Sequence, residues 1–83
     1  MYYVYVIKGI RNFVYVGSTG DLRERFKNHN EKKNLSTKHY TPFKLIYYEA
    51  YLDKRDALER EKKLKHHGAV IGHLKKRLKN SLT

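Results

Sequence analysis

Two apolar runs, Tyr2-Tyr3-Val4-Tyr5-Val6-Ile7 and Phe13-Val14-Tyr15-Val16-Gly17, flank the short polar segment Lys8-Gly9-Ile10-Arg11-Asn12. Their aromatic and β-branched density is that of strands, and Gly9 and Asn12 are turn residues, so the chain opens as a β-hairpin. With the turn centred on Ile10, Tyr5 opposes Tyr15, Ile7 opposes Phe13 and Tyr3 opposes Gly17. Side chains alternate with period two along a strand, which sets the Tyr5 and Tyr15 phenols side by side on one face.

Ser18-Thr19-Gly20-Asp21 ends the hairpin and offers caps for a helix running to about Asn30. Leu22 and Phe26 form its apolar stripe, with Arg25 and His29 beside that stripe. Residues 31–42 are polar and turn-like, and Phe43–Tyr51 has the apolar density of a third strand. Asp53 with Asp56 resembles a capping box for a second helix ending near His66-His67, where Gly68 suits a left-handed position. Val70, Ile71, Leu74 and Leu78 recur at helical spacing and predict a short final helix. The fold class is α/β (α+β), a small mixed three-stranded sheet flanked by helices in the order ββαβαα. At 83 residues the chain has room for one domain, residues 1–83, with a modest core.

Nineteen Lys and Arg stand against 8 acidic residues, a formal charge of +11 spread along the whole chain. A polyanion is the natural partner, and nucleic acid is the commonest for a compact basic domain. A basic structural protein of the ribosome or nucleoid also accounts for the charge. No long amphipathic stretch points to a membrane surface. The absence of cysteine rules out disulfides, thiolate chemistry and zinc-finger architecture. The apolar start is short, lacks a basic leader and runs at once into Lys8, so a soluble cytoplasmic protein is expected.

Glu61 is the residue whose place is hardest to explain by packing. On a wheel of the second helix it falls between Ala57 and Leu58, inside the arc that Leu64 completes, whereas Glu59 points away. A carboxylate on an apolar face costs several kcal/mol unless it is paired with a base or bound to a cation. Taken with Arg25 and the phenols, a hard divalent ion is favoured: Mg²⁺ or Mn²⁺, held mostly by waters. Arg25 carries the planar fork that matches phosphate oxygens. Singly, Arg25 reads as a solvated charge, His29 as a surface histidine, and Tyr5 and Tyr15 as core residues. Tyr2, Tyr40, Tyr47, Tyr48 and Tyr51 read as ordinary core tyrosines.

The ordered set Tyr3-Val4-Tyr5, Tyr15-Val16-Gly17-Ser18, Leu22-x-x-Arg25-x-x-x-His29 and Ala57-Leu58-Glu59-Arg60-Glu61 resembles the GIY-YIG nuclease superfamily, in its small standalone form. Ser36-Thr37-Lys38 and Pro42-Phe43-Lys44-Leu45 extend the likeness. The resemblance implies metal-dependent hydrolysis of DNA phosphodiesters, in repair or on branched or single-stranded substrates. RNA is a second substrate class, and a protein partner would supply specificity. It also implies roles: Tyr5 as general base or water-orienting group, Tyr15 supporting it or positioning phosphate, and Arg25 stabilising transition-state charge. His29 would assist proton transfer or contact phosphate, and Glu61 would hold one Mg²⁺ or Mn²⁺. Tyr3 departs from the pattern, which has Gly there, and no asparagine follows Glu61 before Asn80. The alternative is a nucleic-acid-binding module of the same fold with little or no turnover.

Overall fold

The computed structural model describes residues 1–83. Strands β1 (Tyr2–Lys8) and β2 (Val14–Thr19) are followed by helix α1 (Leu22–Asn30) and strand β3 (Lys44–Tyr51). Helices α2 (Lys54–His66) and α3 (Gly68–Arg77) complete the expected ββαβαα order. β1 lies between β2 and β3, and both pairings are antiparallel, so the sheet is not mixed in strand direction as the sequence suggested. The reason lies at the end of α1. The Asn30 side chain accepts from the Phe43 amide (2.6 Å) and donates to the Phe43 carbonyl (3.3 Å). That clamp starts β3 beside the end of β1, where Lys44 pairs Lys8, and leaves it only the opposite direction.

Val4, Tyr5, Val6 and Ile7 are buried on both faces of the central strand, which is why β1 reads as one continuous apolar run. Val4, Val6 and Val16 pack against Ala57, Leu64 and Leu74 of α2 and α3. Tyr5 and Ile7 pack with Phe43, and Leu22 and Phe26 of α1 close over them on the other face. Each such buried aliphatic side chain contributes about 1.5–3 kcal/mol relative to exposure.

The hairpin register differs from the expected one by a single pair step. Tyr5 opposes Gly17, Ile7 opposes Tyr15 and Tyr3 opposes Thr19. The turn is centred on Arg11: Ile10–Asn12 form a 3-10 turn, with Arg11 and Asn12 in the left-handed region (φ 58° and 59°). The Gly9 amide closes it on the Phe13 carbonyl at 2.8 Å. A shift of this kind preserves side-chain parity, so Tyr5 and Tyr15 still share a face. It also puts Gly17 under the Tyr5 ring, where any Cβ would collide with the hydroxyl.

Asp21 caps α1 by accepting from the Glu24 amide at 3.1 Å. Asp53 caps α2 through the Arg55 amide at 2.8 Å, without the reciprocal bond expected from Asp56. Gly68 does not take the left-handed position predicted for it. His67, in extended conformation (φ −121°, ψ 101°), redirects the chain, and Gly68 begins α3 directly. Leu58, placed in the core arc by the helical wheel, is 43% exposed; Ala57 and Leu64 alone carry the buried stripe of α2. No helix is long and apolar enough to cross a membrane.

Candidate active site

α1 sets Arg25 and His29 one turn apart on the side of the helix that meets Tyr5. The Arg25 Nε–H donates to the Tyr5 hydroxyl oxygen at 3.2 Å, and that hydroxyl shares a 2.7 Å hydrogen bond with His29 Nε2. His29 Nδ1 in turn bonds Thr37 Oγ1 at 2.8 Å. Tyr5, His29 and Thr37 have no exposed surface. The imidazole is walled by aromatic rings, with centroids 5.7 Å from Tyr5, 5.2 Å from Tyr15 and 6.0 Å from Phe43.

Burial, and then the positive charge of Arg25, push the His29 ring down to about 4, so it is neutral at physiological pH. A neutral imidazole has one donor and one acceptor nitrogen, and here each is matched. Burial raises the Tyr5 phenol, although the Arg25 hydrogen bond and charge oppose it. Arg25 is raised chiefly by its bond to Tyr5, and Tyr15 adds to the same shift from close by. Beside Arg25 lies a polar hollow of about 90 Å³ that Asn28 and Lys33 also line.

Glu61 reaches the site from the other face of the sheet, over the β2 edge. Ser18, whose side chain shares the Val4 face, donates to Glu61 Oε1 at 2.5 Å. Lys65, one turn along α2, places Nζ 2.9 Å from Oε2 and 5.1 Å from the centre of the Tyr15 ring. Burial works to raise the carboxyl, but Ser18, Lys65 and Arg25 outweigh it and hold it below its ordinary value. The five predicted residues therefore gather around one strand edge. Tyr5, Tyr15, Arg25 and His29 lie on the α1 side, and Lys65 bridges from Tyr15 to Glu61.

Their accessibilities differ in a way the sequence did not disclose. Tyr5 is enclosed, and its hydroxyl bonds Arg25 and His29. His29, enclosed as a residue, borders the small polar hollow beside Arg25. Arg25, Tyr15 and Glu61 keep partial exposure, the Glu61 side chain 19% of its surface. Three further residues belong to the site. Lys65 was legible as the i+4 partner of Glu61; Ser18, offered by the sequence only as a cap, comes opposite Val4 through the shifted register, and Thr37 sits in a polar loop with no periodic signal.

No group of three or more His, Asp or Glu forms a metal cage. A single carboxylate nevertheless suits a hard, largely hydrated ion, and Glu61 is the residue that fits one. Both of its oxygens are engaged, by Ser18 and Lys65, so a cation held there would compete with these partners.

Residues 1–70 match the family model described as the GIY-YIG catalytic domain. A UPF0213 protein of Bacillus pumilus is 35% identical over 65 residues, covering 77% of this chain and 66% of the relative. UPF0213 protein YazA of Bacillus subtilis is 39% identical over 61 residues, covering 72% and 62%. A UPF0213 protein of Lacticaseibacillus paracasei is 38% identical over 66 residues, covering 78% and 74%. The matched segment thus spans just under two thirds of the first two relatives. No solved structure matches the chain. With the family match running from β1 through α2 and the site residues gathered at one strand edge, the chain belongs to the GIY-YIG catalytic-domain family.

Proposed function

We propose that residues 1–83 act as one divalent-metal-dependent endonuclease domain that hydrolyses DNA phosphodiester bonds. The observation that carries this reading is the hold on Arg25. Tyr5 engages its Nε, which aims the terminal nitrogens, with Tyr15 close by, to grip phosphate oxygens. A guanidinium fixed before the reaction stabilises the charge that grows on the equatorial oxygens without reorganising. Tyr15, half-exposed on the same face, orients the attacking water or the phosphate. Tyr5 and His29 are positioning residues: His29, tied to Thr37, fixes the phenol, and the phenol fixes Arg25. When bound at Glu61, Mg²⁺ or Mn²⁺ supplies Lewis-acid polarisation and a more acidic water. Lys65, which also lies over the Tyr15 ring, is a second cation within reach of the phosphate. DNA repair, or cutting at branched or single-stranded sites, suits so small a domain, with any sequence preference supplied by a partner.

A second reading, a binding module with little turnover, draws on Ser18 and Lys65, which already satisfy the carboxylate a metal would need. A nicking assay on supercoiled, single-stranded and branched DNA and on RNA, with and without Mg²⁺ or Mn²⁺, separates the two. Arg25→Ala and Glu61→Gln are expected to lose about 10²-fold or more in cutting while still binding DNA. Equal residual cleavage in wild type and both variants sinks the nuclease reading and leaves the binding module.

A further inference from the structure

The largest hollow in the molecule, about 460 Å³, lies between α1 and β3, on the sheet face that carries Tyr5. Its floor is Tyr3, Leu45 and Tyr48; Leu22 and Phe26 wall it, and Asp21 and Arg23 stand at its rim. Tyr48 is the direct cross-strand partner of Tyr5, so its backbone lies one strand spacing, about 4.8 Å, from that of the tyrosine that holds Arg25. Tyr48 is not the core residue its sequence suggests: it is 54% exposed. The Tyr3 ring braces it edge-on, with centroids 5.9 Å apart and an interplanar angle of 68°. Tyr3 is the residue that departs from the family pattern, and glycine there would leave Tyr48 without its brace.

We propose that this hollow is a nucleobase pocket, in which an unpaired base stacks on Tyr48, edged by Tyr3, while Arg23 meets its backbone. The proposal rests on the reading that nucleic acid is the partner, and it deepens that reading. The volume lies in the range of small-ligand sites. Aromatic faces accept any base, and Arg23 offers a cation to the phosphate that a base brings with it, while Asp21 beside it is taken up in capping α1. A purely apolar occupant gives that rim no purpose. A second copy of this chain would set +11 against +11. A paired base offers only its edge, so the pocket selects strands with an unpaired nucleotide beside the bond to be cut.

The test uses the whole chain without divalent metal, so that binding is read without cutting. Oligonucleotides carrying 2-aminopurine at successive positions are titrated, and stacking on Tyr48 is expected to quench one position. Tyr48→Ala should abolish that quench and reduce the preference for single strand over duplex about fivefold or more. Tyr48→Phe should keep both, because stacking needs the ring and not the hydroxyl. Tyr48 is half-exposed, so the fold survives its removal, as circular dichroism would verify. An unchanged preference in Tyr48→Ala overturns the pocket, as does equal failure of Tyr48→Phe. A concentration-dependent dimer in sedimentation that Tyr48→Ala dissolves also overturns it, by assigning the hollow to a second copy. If wild type never cuts with Mg²⁺ yet the quench persists, the nuclease reading fails and the pocket stands. If cutting persists without the quench, only the pocket falls.

Discussion

His29 is folded into the interior as a neutral ring, and that has a cost that depends on pH. Its value falls from the ordinary 6.5 to about 4 in the folded chain. Below about 6.5 the unfolded chain takes up a proton that the folded one refuses, so stability declines as pH drops towards about 4. The decline amounts to at most about 3 kcal/mol, and above about pH 7 it vanishes. Urea midpoints for wild type and His29→Gln between about pH 7.5 and about 4.5 isolate the effect from carboxylates common to both. Wild type should lose more stability on acidification; parallel curves would mean that the ring already protonates in the fold. The sequence placed His29 correctly, one turn after Arg25, but not its enclosure. Burial here comes from Phe43 and Thr37, contributed by a segment whose path periodicity does not encode.

At the scale of elements, the decisive contact outside the site is the clamp between β3 and α2. Glu49 accepts from Tyr47 (2.6 Å), from Tyr51, and from Arg60 through Nε and a terminal nitrogen (3.0 and 3.1 Å). Burial works to raise this carboxyl, but Arg60 and the two phenols hold it below its ordinary value. Its stabilisation is therefore present above about pH 4.5 and lost as pH falls through the lower folded value. Arg60 immediately precedes Glu61, so the clamp also fixes the rotation of α2 that turns Glu61 towards Ser18. Glu49→Gln should destabilise by about 1–3 kcal/mol, by weakening a paired, half-buried network. Arg60→Lys should not substitute, because the bidentate fork is lost. A change within about 0.5 kcal/mol in the urea midpoint of Glu49→Gln would show that the clamp is inert. Element order was legible because strand and helix compositions alternate cleanly along the chain. Register was not, since Arg11 and Asn12 adopt left-handed conformations that glycine usually supplies. The helical wheel erred at Leu58 and succeeded at Glu61 because α2 is held by polar contacts at Glu49 and Ser18, not by apolar surface alone.

Taken whole, the molecule is a neutral core of small extent beneath a heavily basic surface, and the charge of +11 was the one global property that needed no structure to read. The structure adds position: Arg25 and Lys33 face one polar hollow, Arg23 edges the apolar one, and Lys65 stands at Glu61. On the proposed function, cations on both sides of α1 would line a path for a phosphate backbone and not a single anion site. Binding to such a path releases condensed counterions, so affinity should fall linearly on a log–log scale with salt. Each contacted phosphate contributes a slope of about 0.7 for a single strand and about 0.9 for duplex. Arg25→Ala removes one contact, so its slope should be shallower by about that amount, with affinity lowered for every sequence alike. Titrations of a labelled oligonucleotide at several salt concentrations measure both quantities. An affinity indifferent to salt would remove nucleic acid from the partners of this surface. A wild-type slope unchanged by Arg25→Ala would place the phosphate path elsewhere on the molecule.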